Sequence, residues 1–513
     1  MRFTKLYPEN MYNAQKGMQI LLMSKIKSAY ELACERVIVP KPEMKILNTE
    51  NDDPDIELPD FVECWKHPDG PQEFQTVVIE SDGSNGTVSL IEEYDALKGH
   101  KPTVKESREI KPKKIPIREV KVQESYNINY DLSNNPSVHW YGHFTSYAGF
   151  SRMNRAFAFG LANRGLRVKL DIQESDVHVN EETEKQIRRM SRTAIADNAP
   201  KIFGATIPLN MFHGGRRILY TMMETSGSLH PDYVGKLNLF DEIWVPTRFA
   251  QEMFKQNGVH PPVLVMPLGV DVDRYTPDRK DFDFNQELND FVFLSVFKWG
   301  YRKGYDILLK AFMEEFSADD NVTLLLVSRA EAFNDQNQIQ KDFAGIRESI
   351  NKSDDELPHI ALYDNEIPER YMPNIYGSAD AFVLISRGEG FGLPYAEAGA
   401  SGMPVIASDC SGHSDFLNDS NAYMVAPDGL VTAETNGHLR KLAKHCRFYE
   451  DQTFPNFGRN AIEETKAHMR YVFENYEDSL DKADNLRSDL EEFYTWDQAI
   501  DNVYKRIMEL NGA

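Results

Sequence analysis

From about residue 136 onward the chain alternates short apolar runs with segments in which apolar residues recur every three or four positions. The first pattern belongs to buried strands and the second to helices with one covered face. SVHWYG (137–142), RVKLDI (167–172), KIFGATIPL (201–209), RRILYTMM (216–223), EIWVPT (242–247) and VLVMPLG (263–269) read as strands, with a helix over about 150–164. The alternation restarts with FVFLSVFK (291–298), a helix near 305–316, VTLLLVS (322–328), HIALYD (359–364), AFVLIS (381–386) and PVIAS (404–408). Apolar strands separated by helices make βα units around parallel sheets. Between the two series, residues 267–290 are rich in Asp and punctuated by Gly and Pro, which marks a connection between domains. Residues 432–513 are mostly helical by pattern, and no repeat of 20–50 residues is visible. The expected fold class is α/β, with two successive doubly wound domains.

The first stretch of chain has a different texture. Met18, Leu22, Ile26, Ala29, Tyr30 and Ala33 fall at helical spacing within 11–38, and the acidic, Pro-containing residues 48–60 read as a loop. Residues 74–94 look like two strands around a Gly-rich turn, and KPKKIPIREVK (111–121) like a basic, solvated linker. No chemistry is readable there. The expected boundaries are 1–135 for an N-terminal extension, 136–275 and 276–485 for the two Rossmann-like domains, and 486–513 for a final helix.

Composition narrows the class. A chain of 513 residues with 41% apolar and 27% charged residues is ordinary for a soluble globular protein. Its length is compatible with about three domains, and equally with two large ones. The net charge of −23 disfavours a general nucleic-acid coating role, because phosphate neutralisation needs a basic face. A local basic groove stays open. Four scattered cysteines (Cys34, Cys64, Cys410, Cys446) form no Cys-x-x-Cys pair, which excludes a disulfide scaffold and suits a reducing compartment. The N-terminus shows no apolar signal region, and no run approaches the ~18 apolar residues of a membrane span. A cytoplasmic location is the expectation.

The most informative segment is RGEGFGLPYAEAGASGMPVIASD (387–409). A strand runs into a glycine-rich loop, and a helix starts near Pro394, a residue suited to the first helical position. Backbone N–H groups and the helix dipole make such a loop a diphosphate site. Glu389 lies in the loop and Glu397 about one turn into the helix, so one carboxylate can face a polyol and the other a ribose. No P-loop and no Gly-x-Ser-x-Gly elbow occurs, which disfavours P-loop ATP hydrolysis and nucleophile-elbow hydrolysis.

This segment resembles the Glu-x7-Glu signature of retaining glycosyltransferases of family 4, which have the GT-B fold: two Rossmann-like domains facing a cleft. The likeness extends over roughly residues 136–510. It implies that Glu389 contacts the donor sugar and Glu397 the nucleotide ribose, while backbone at Gly390, Phe391, Gly392 and Leu393 cradles sugar and phosphate. SVFKWGYRKGYDILLKAF (295–312) resembles the opening of the family's C-terminal domain, where an Arg and a Lys neutralise the diphosphate. Lys303 fits the second place and Lys298 the first, with charge kept but bidentate geometry lost, and Arg302 stands beside them. HFTSYAGFSRMNRAFAFGLANRGLRVKL (143–170) resembles the first loop and helix of the N-terminal domain, with Ala148-Gly149 where Gly-Gly is usual. Gly149 would let backbone approach the donor. In residues 218–254, Glu224 occupies the place where many relatives carry a histidine near the anomeric carbon; it contacts substrate hydroxyls or only anchors its loop. His230, Thr247 and Arg248 lie nearby, and Asp415 stands where an acid is usual, with capping of the following helix an equal explanation. The tail, with Trp496, Ala499, Val503, Ile507 and Leu510, resembles the helix that crosses back to the N-terminal domain.

The resemblance implies sugar transfer from a nucleotide sugar, UDP- or GDP-linked, to a hydroxyl with retention, and no further cofactor or metal. Asp271-Val272-Asp273 has an Asp-x-Asp look but sits in the interdomain connection. The acceptor stays open among glycan, lipid, small molecule, protein and nucleic acid. Two other readings remain: a GT-B phosphorylase, and a nucleotide-sugar-binding scaffold with impaired catalysis, which Glu224 in place of histidine favours.

Overall fold

The computed structural model describes residues 136–512, apart from 174–178, 207–214, 279–281, 285–286, 331–336, 433–437, 439–448 and 450–451, together with three strand backbones nearer the N-terminus. Those strands are Val77–Ser81 (β1), Gly86–Glu93 (β2) and Thr103–Ile110 (β3). They form an antiparallel meander, with Val77 opposite Leu90 and Gly86 opposite Ile110. The hairpin expected within 74–94 is present, and β3 is an addition to it. The meander belongs to a unit, Glu9–Asn129, separate from the one that holds residues 130–513. The helix expected over 11–38, the loop at 48–60 and the linker at 111–121 lie outside the described residues.

The larger unit contains two six-stranded parallel sheets. The first is built from Ser137–Gly142 (β4), Arg167–Ile172 (β5), Lys201–Gly204 (β6), Arg217–Tyr220 (β7), Glu242–Val245 (β9) and Val263–Val265 (β10). Its order is β10-β9-β7-β6-β4-β5. The second is built from Phe291–Trp299 (β11), Val322–Ala330 (β12), His359–Tyr363 (β13), Ala381–Leu384 (β14), Val405–Ser408 (β15) and Tyr423–Val425 (β16). Its order is β13-β12-β11-β14-β15-β16. All pairings within both sheets are parallel. In each sheet the chain enters in the interior, winds to one edge, and then returns to wind to the other. The reversal opens a crevice at the strands' carboxyl ends, between β4 and β6 in one sheet and between β11 and β14 in the other.

The strands read as apolar runs because helices cover both faces. Phe293, Leu294, Leu324, Leu325, Phe382 and Val383 are all fully buried. The helix expected near 150–164 is Gly149–Asn163, and the one near 305–316 is Tyr305–Glu315. Residues 267–290 run from β10 to β11 and so connect the sheets.

The chain ends on the first half. The helix Trp496–Asn511 starts at a capping box formed by Thr495 and Gln498. It buries Ala499, Val503 and Ile507, keeps Leu510 partly covered, and sets Trp496 edge-on to Phe157, 5.6 Å between ring centroids. Arg506 then makes a two-pronged pair with Glu242, which is fully buried at the start of β9, at 2.7 and 3.0 Å.

Most of 432–513 is helical as expected, in the helices Arg459–Glu474, Tyr476–Phe493 and Trp496–Asn511. The pattern missed Gln452–Asn456 (β18), which is a strand. It pairs antiparallel with Gly429–Thr432 (β17) on one side and with Ser226–Gly227 (β8), from the first half, on the other. Side chains reinforce this crossing: Thr225 donates to Gln452 at 2.9 Å, and Gln452 donates to the Ser228 carbonyl at 2.6 Å. A five-residue strand containing Pro455 and pairing with a two-residue partner leaves almost no periodic signal. Among the described residues, no helix is long and apolar enough to cross a membrane.

Ile507→Ala, at a fully buried position of the last helix, is expected to lower stability by about 2–5 kcal/mol in urea unfolding. Lys505→Ala on its exposed face is expected to stay within about 0.5 kcal/mol.

Candidate functional site

The crevice between β11 and β14 collects the charged residues. After β11 the chain makes a tight turn, Tyr301–Lys303, and enters the helix Tyr305–Glu315. After β14 it runs through the glycine-rich loop into the helix Leu393–Ala400, with Pro394 in its first positions and Gly392 in the left-handed region at φ 98°. These loops leave neighbouring strands, so they meet. The Arg387 N–H donates to the Arg302 carbonyl at 2.6 Å. The Arg387 guanidinium grips Asp306 with two bonds of 2.7 Å, donates to the Tyr301 carbonyl at 2.8 Å, and lies 3.8 Å above the Tyr301 ring. Arg387 therefore holds the turn that presents Arg302 and Lys303. Nothing in its local sequence distinguishes it from a loop cation.

Lys303 donates to Glu389 at 2.5 Å, and Arg302 lies 4.0 Å from the same carboxylate oxygen. Arg302 also reaches Glu224, in the loop after β7 of the first half, at 3.2 Å. Tyr449 donates to the other Glu224 oxygen. Burial opposes the charge on Glu389, yet Lys303 and Arg302 beside it hold its carboxyl below the usual glutamate range. The loops press together closely: a side chain at Gly388 would run into the Glu224 carbonyl oxygen. Glu389, Lys303, Arg302 and Glu224 thus form one charge network across the cleft.

Glu397 anchors a second network, one turn further on. It is buried in the helix Leu393–Ala400 and accepts from the Tyr376 hydroxyl at 2.9 Å and from Arg152 of the helix Gly149–Asn163. Glu369 bridges to the same helix, 2.8 Å from Arg155 and 3.5 Å from Arg152. Arg152, Arg155, Glu369 and Tyr376 carry no motif signal, since their partners lie far away in the chain.

Other candidates fall elsewhere. Lys298 is exposed on β11, in register with Arg329, outside the Lys303–Glu389 contact. Gly149 is exposed at the start of its helix, with open space where a side chain would stand. The Phe391 ring packs on Phe416 and Tyr494, at 5.1 and 6.1 Å, so only its backbone faces the loop's neighbours. The Gly390 carbonyl accepts from Thr247 at 3.4 Å. Asp415 does not cap the segment that follows it. It accepts from the Arg248 and Phe249 N–H groups at 2.6 and 3.5 Å, and so caps the helix Arg248–Gln256 from the opposite half. Burial there pushes its carboxyl up. His230 accepts from the Asp232 N–H as a helix cap, and Asp271 accepts from the Arg274 N–H in a turn. Burial pushes the Cys410 thiol to about 12, so it stays protonated and is no nucleophile at neutral pH. Among the described residues, no three His, Cys, Asp or Glu side chains converge as a metal site.

The family described as "Glycosyl transferases group 1" matches residues 289–443. The chain carries a glycosyl transferases group 1 domain. That domain contains Lys298, Arg302, Lys303, Glu389 and Glu397, while Gly149 and Glu224 lie outside it. A mannosylfructose-phosphate synthase of Agrobacterium fabrum is 27% identical over 208 residues, 38% of this chain and 42% of that protein. The chain thus spans under half the length of that relative. Among solved structures, the sucrose-phosphate synthase of Thermosynechococcus elongatus superposes with a TM-score of 0.53 at 13% identity, over 74% of this chain and all of the other. HepE of Anabaena, solved with UDP and glucose, superposes with a TM-score of 0.50 at 13% identity, over 73% of this chain and all of the other. Both are GT-B proteins, and the two six-stranded sheets of this chain together have that fold.

Lys303→Met strands the buried Glu389 carboxylate with only Arg302 nearby. It is expected to destabilise the protein by about 2–4 kcal/mol at pH 7. A carboxyl held below its unfolded value contributes stability that is present above the ordinary glutamate range and lost as pH falls through the depressed value. Wild type loses that contribution on acidification, whereas the variant, with only Arg302 beside Glu389, has less of it to lose. The gap between them in urea unfolding is therefore expected to narrow from pH 7 toward pH 4.

Proposed function

We propose that this protein is a glycosyltransferase that moves a sugar from a nucleoside-diphosphate sugar to an acceptor hydroxyl with retention of anomeric configuration. The observation that carries the reading is the pairing of Lys303 with the buried Glu389 at the strand switch point, inside the group 1 domain and next to Arg302, which reaches Glu224 of the other half.

The chemistry assigns each group a task. The donor diphosphate lies against Lys303, with Lys298, five residues earlier on β11, and the N-terminal turn of the helix Leu393–Ala400 adding positive potential. Glu389 accepts hydrogen bonds from donor sugar hydroxyls, and Glu397 from the ribose once Arg152 releases it. The bond from the anomeric carbon to the diphosphate oxygen breaks, and its electron pair goes to that oxygen. The acceptor hydroxyl forms the new bond on the same face, and its proton passes to the departing diphosphate oxygen. Gly149 leaves room for backbone beside the donor, and Glu224 with Arg302 borders the reacting sugar. Closure of the two halves excludes water, which would otherwise take the acceptor's place. UDP- and GDP-sugars are the donors proposed, and no cofactor or metal enters the scheme.

The test is a panel of UDP-, GDP- and ADP-sugars, read by nucleotide release and thermal shift. Release from one donor, lowered at least about 100-fold by Glu389→Ala and by Lys303→Ala, is the expected outcome. A thermal shift with no release across a broad acceptor set would instead support a donor-binding scaffold. No shift with any donor would overturn the nucleotide-sugar assignment.

A further inference from the structure

Ser411 is the one non-glycine residue with positive φ among the described residues, at φ 61° and ψ −155°. That region is essentially reserved for glycine, and a residue with a side chain stays there only when its surroundings force it. The surroundings do. On one side, Cys410 is half-buried against the core and its N–H donates to the Ser408 carbonyl at 3.1 Å. On the other, the Gly412 N–H donates to the Glu389 carbonyl at 3.0 Å, and His413 is stacked on Tyr395 at 4.4 Å between ring centroids. Gly412 itself is pressed against the backbone of Glu389 and Gly390, where a side chain would collide. Glycine at 411 would suit the backbone, yet serine stands there, and its buried hydroxyl accepts from the Glu389 N–H at 2.9 Å.

We infer that Ser411 is a positioning residue for Glu389: its strained backbone brings a hydroxyl to the Glu389 N–H, and with Gly412 it clamps that residue by both N–H and C=O. The inference rests on the proposed role of Glu389 toward the donor sugar. The clamp fixes the peptide from which the carboxylate reaches Lys303, so a shift of the loop displaces the carboxylate relative to the donor sugar. A glycine would relieve the strain and leave a buried N–H without its acceptor.

The two roles of Ser411 separate in two variants. Ser411→Ala keeps the strained backbone and loses the hydroxyl, whereas Ser411→Gly loses both. Melting temperature, hydrogen exchange at the peptide covering Glu389, donor turnover, and affinity for the released nucleoside diphosphate are measured in each full-length protein. Ser411→Gly is expected to melt at least about 1–3 °C above Ser411→Ala. Both variants are expected to exchange faster at Glu389 and to turn over about tenfold or more slowly, with nucleoside diphosphate affinity within about twofold of wild type. A merely structural residue would instead give activity that follows melting temperature, with Ser411→Gly the more active. That result, or wild-type turnover in both variants, overturns the inference. If wild type turns over no donor, the proposed function has failed, and exchange at Glu389 alone decides the clamp: unchanged exchange overturns it and faster exchange supports it.

Discussion

Everything at the site depends on two loops passing backbone against backbone where β11 and β14 lie side by side. Parallel neighbours at a switch point send their chains away in opposite directions, so the peptide after each strand has only its neighbour's peptide beside it. Gly304, in the left-handed region at φ 68°, abuts the Ile385 carbonyl so tightly that no side chain fits. From that contact come the short turn with Arg302 and Lys303, the packing of Arg387 beneath it, and the placing of Glu389 within 2.5 Å of Lys303. Any spacer that lifted one loop off the other would separate the pair.

The second constraint is charge. The cleft holds carboxylates and guanidinium groups from both halves in alternation: Glu224 with Arg302, Glu397 with Arg152, Glu369 with Arg155. A buried charge is expensive alone and tolerable when paired, and here each half supplies part of that pairing to the other. A diphosphate sugar entering this cleft would exchange partners with these groups instead of meeting bare ones. Arg152 occupies the carboxylate proposed for the ribose, which makes donor entry an exchange of ligands on Glu397.

Much of this was legible in the residues. The strand and helix alternation, the connection at 267–290 and the glycine-rich loop depend on local periodicity and turn chemistry, which a single sequence displays. Lys303 and Glu389 stand out because each follows a buried strand at a recognisable turn. Arg152 and Glu397 are 245 residues apart, and Glu224 and Tyr449 are 225 apart, on segments with no shared pattern, so their meeting is a property of the fold alone. Asp415 has the sequence of a local cap, but the N–H groups it serves belong to a helix in the other half. Strand β18 escaped because it is short, contains a proline and completes its pairing with only two residues of β8.

That strand has a mechanical consequence. Besides the chain connection and the side-chain contacts across the cleft, the halves are joined by β18 hydrogen-bonded to β8, and by the last helix seated on the first sheet through Arg506 and Glu242. Two fixed attachments define a line, and a rigid body held at both can only turn about it. Opening that keeps both attachments and gives up only the side-chain contacts across the cleft is thereby reduced from six degrees of freedom to one, an angle, and any molecule entering the cleft would pass through the wedge that this angle sweeps.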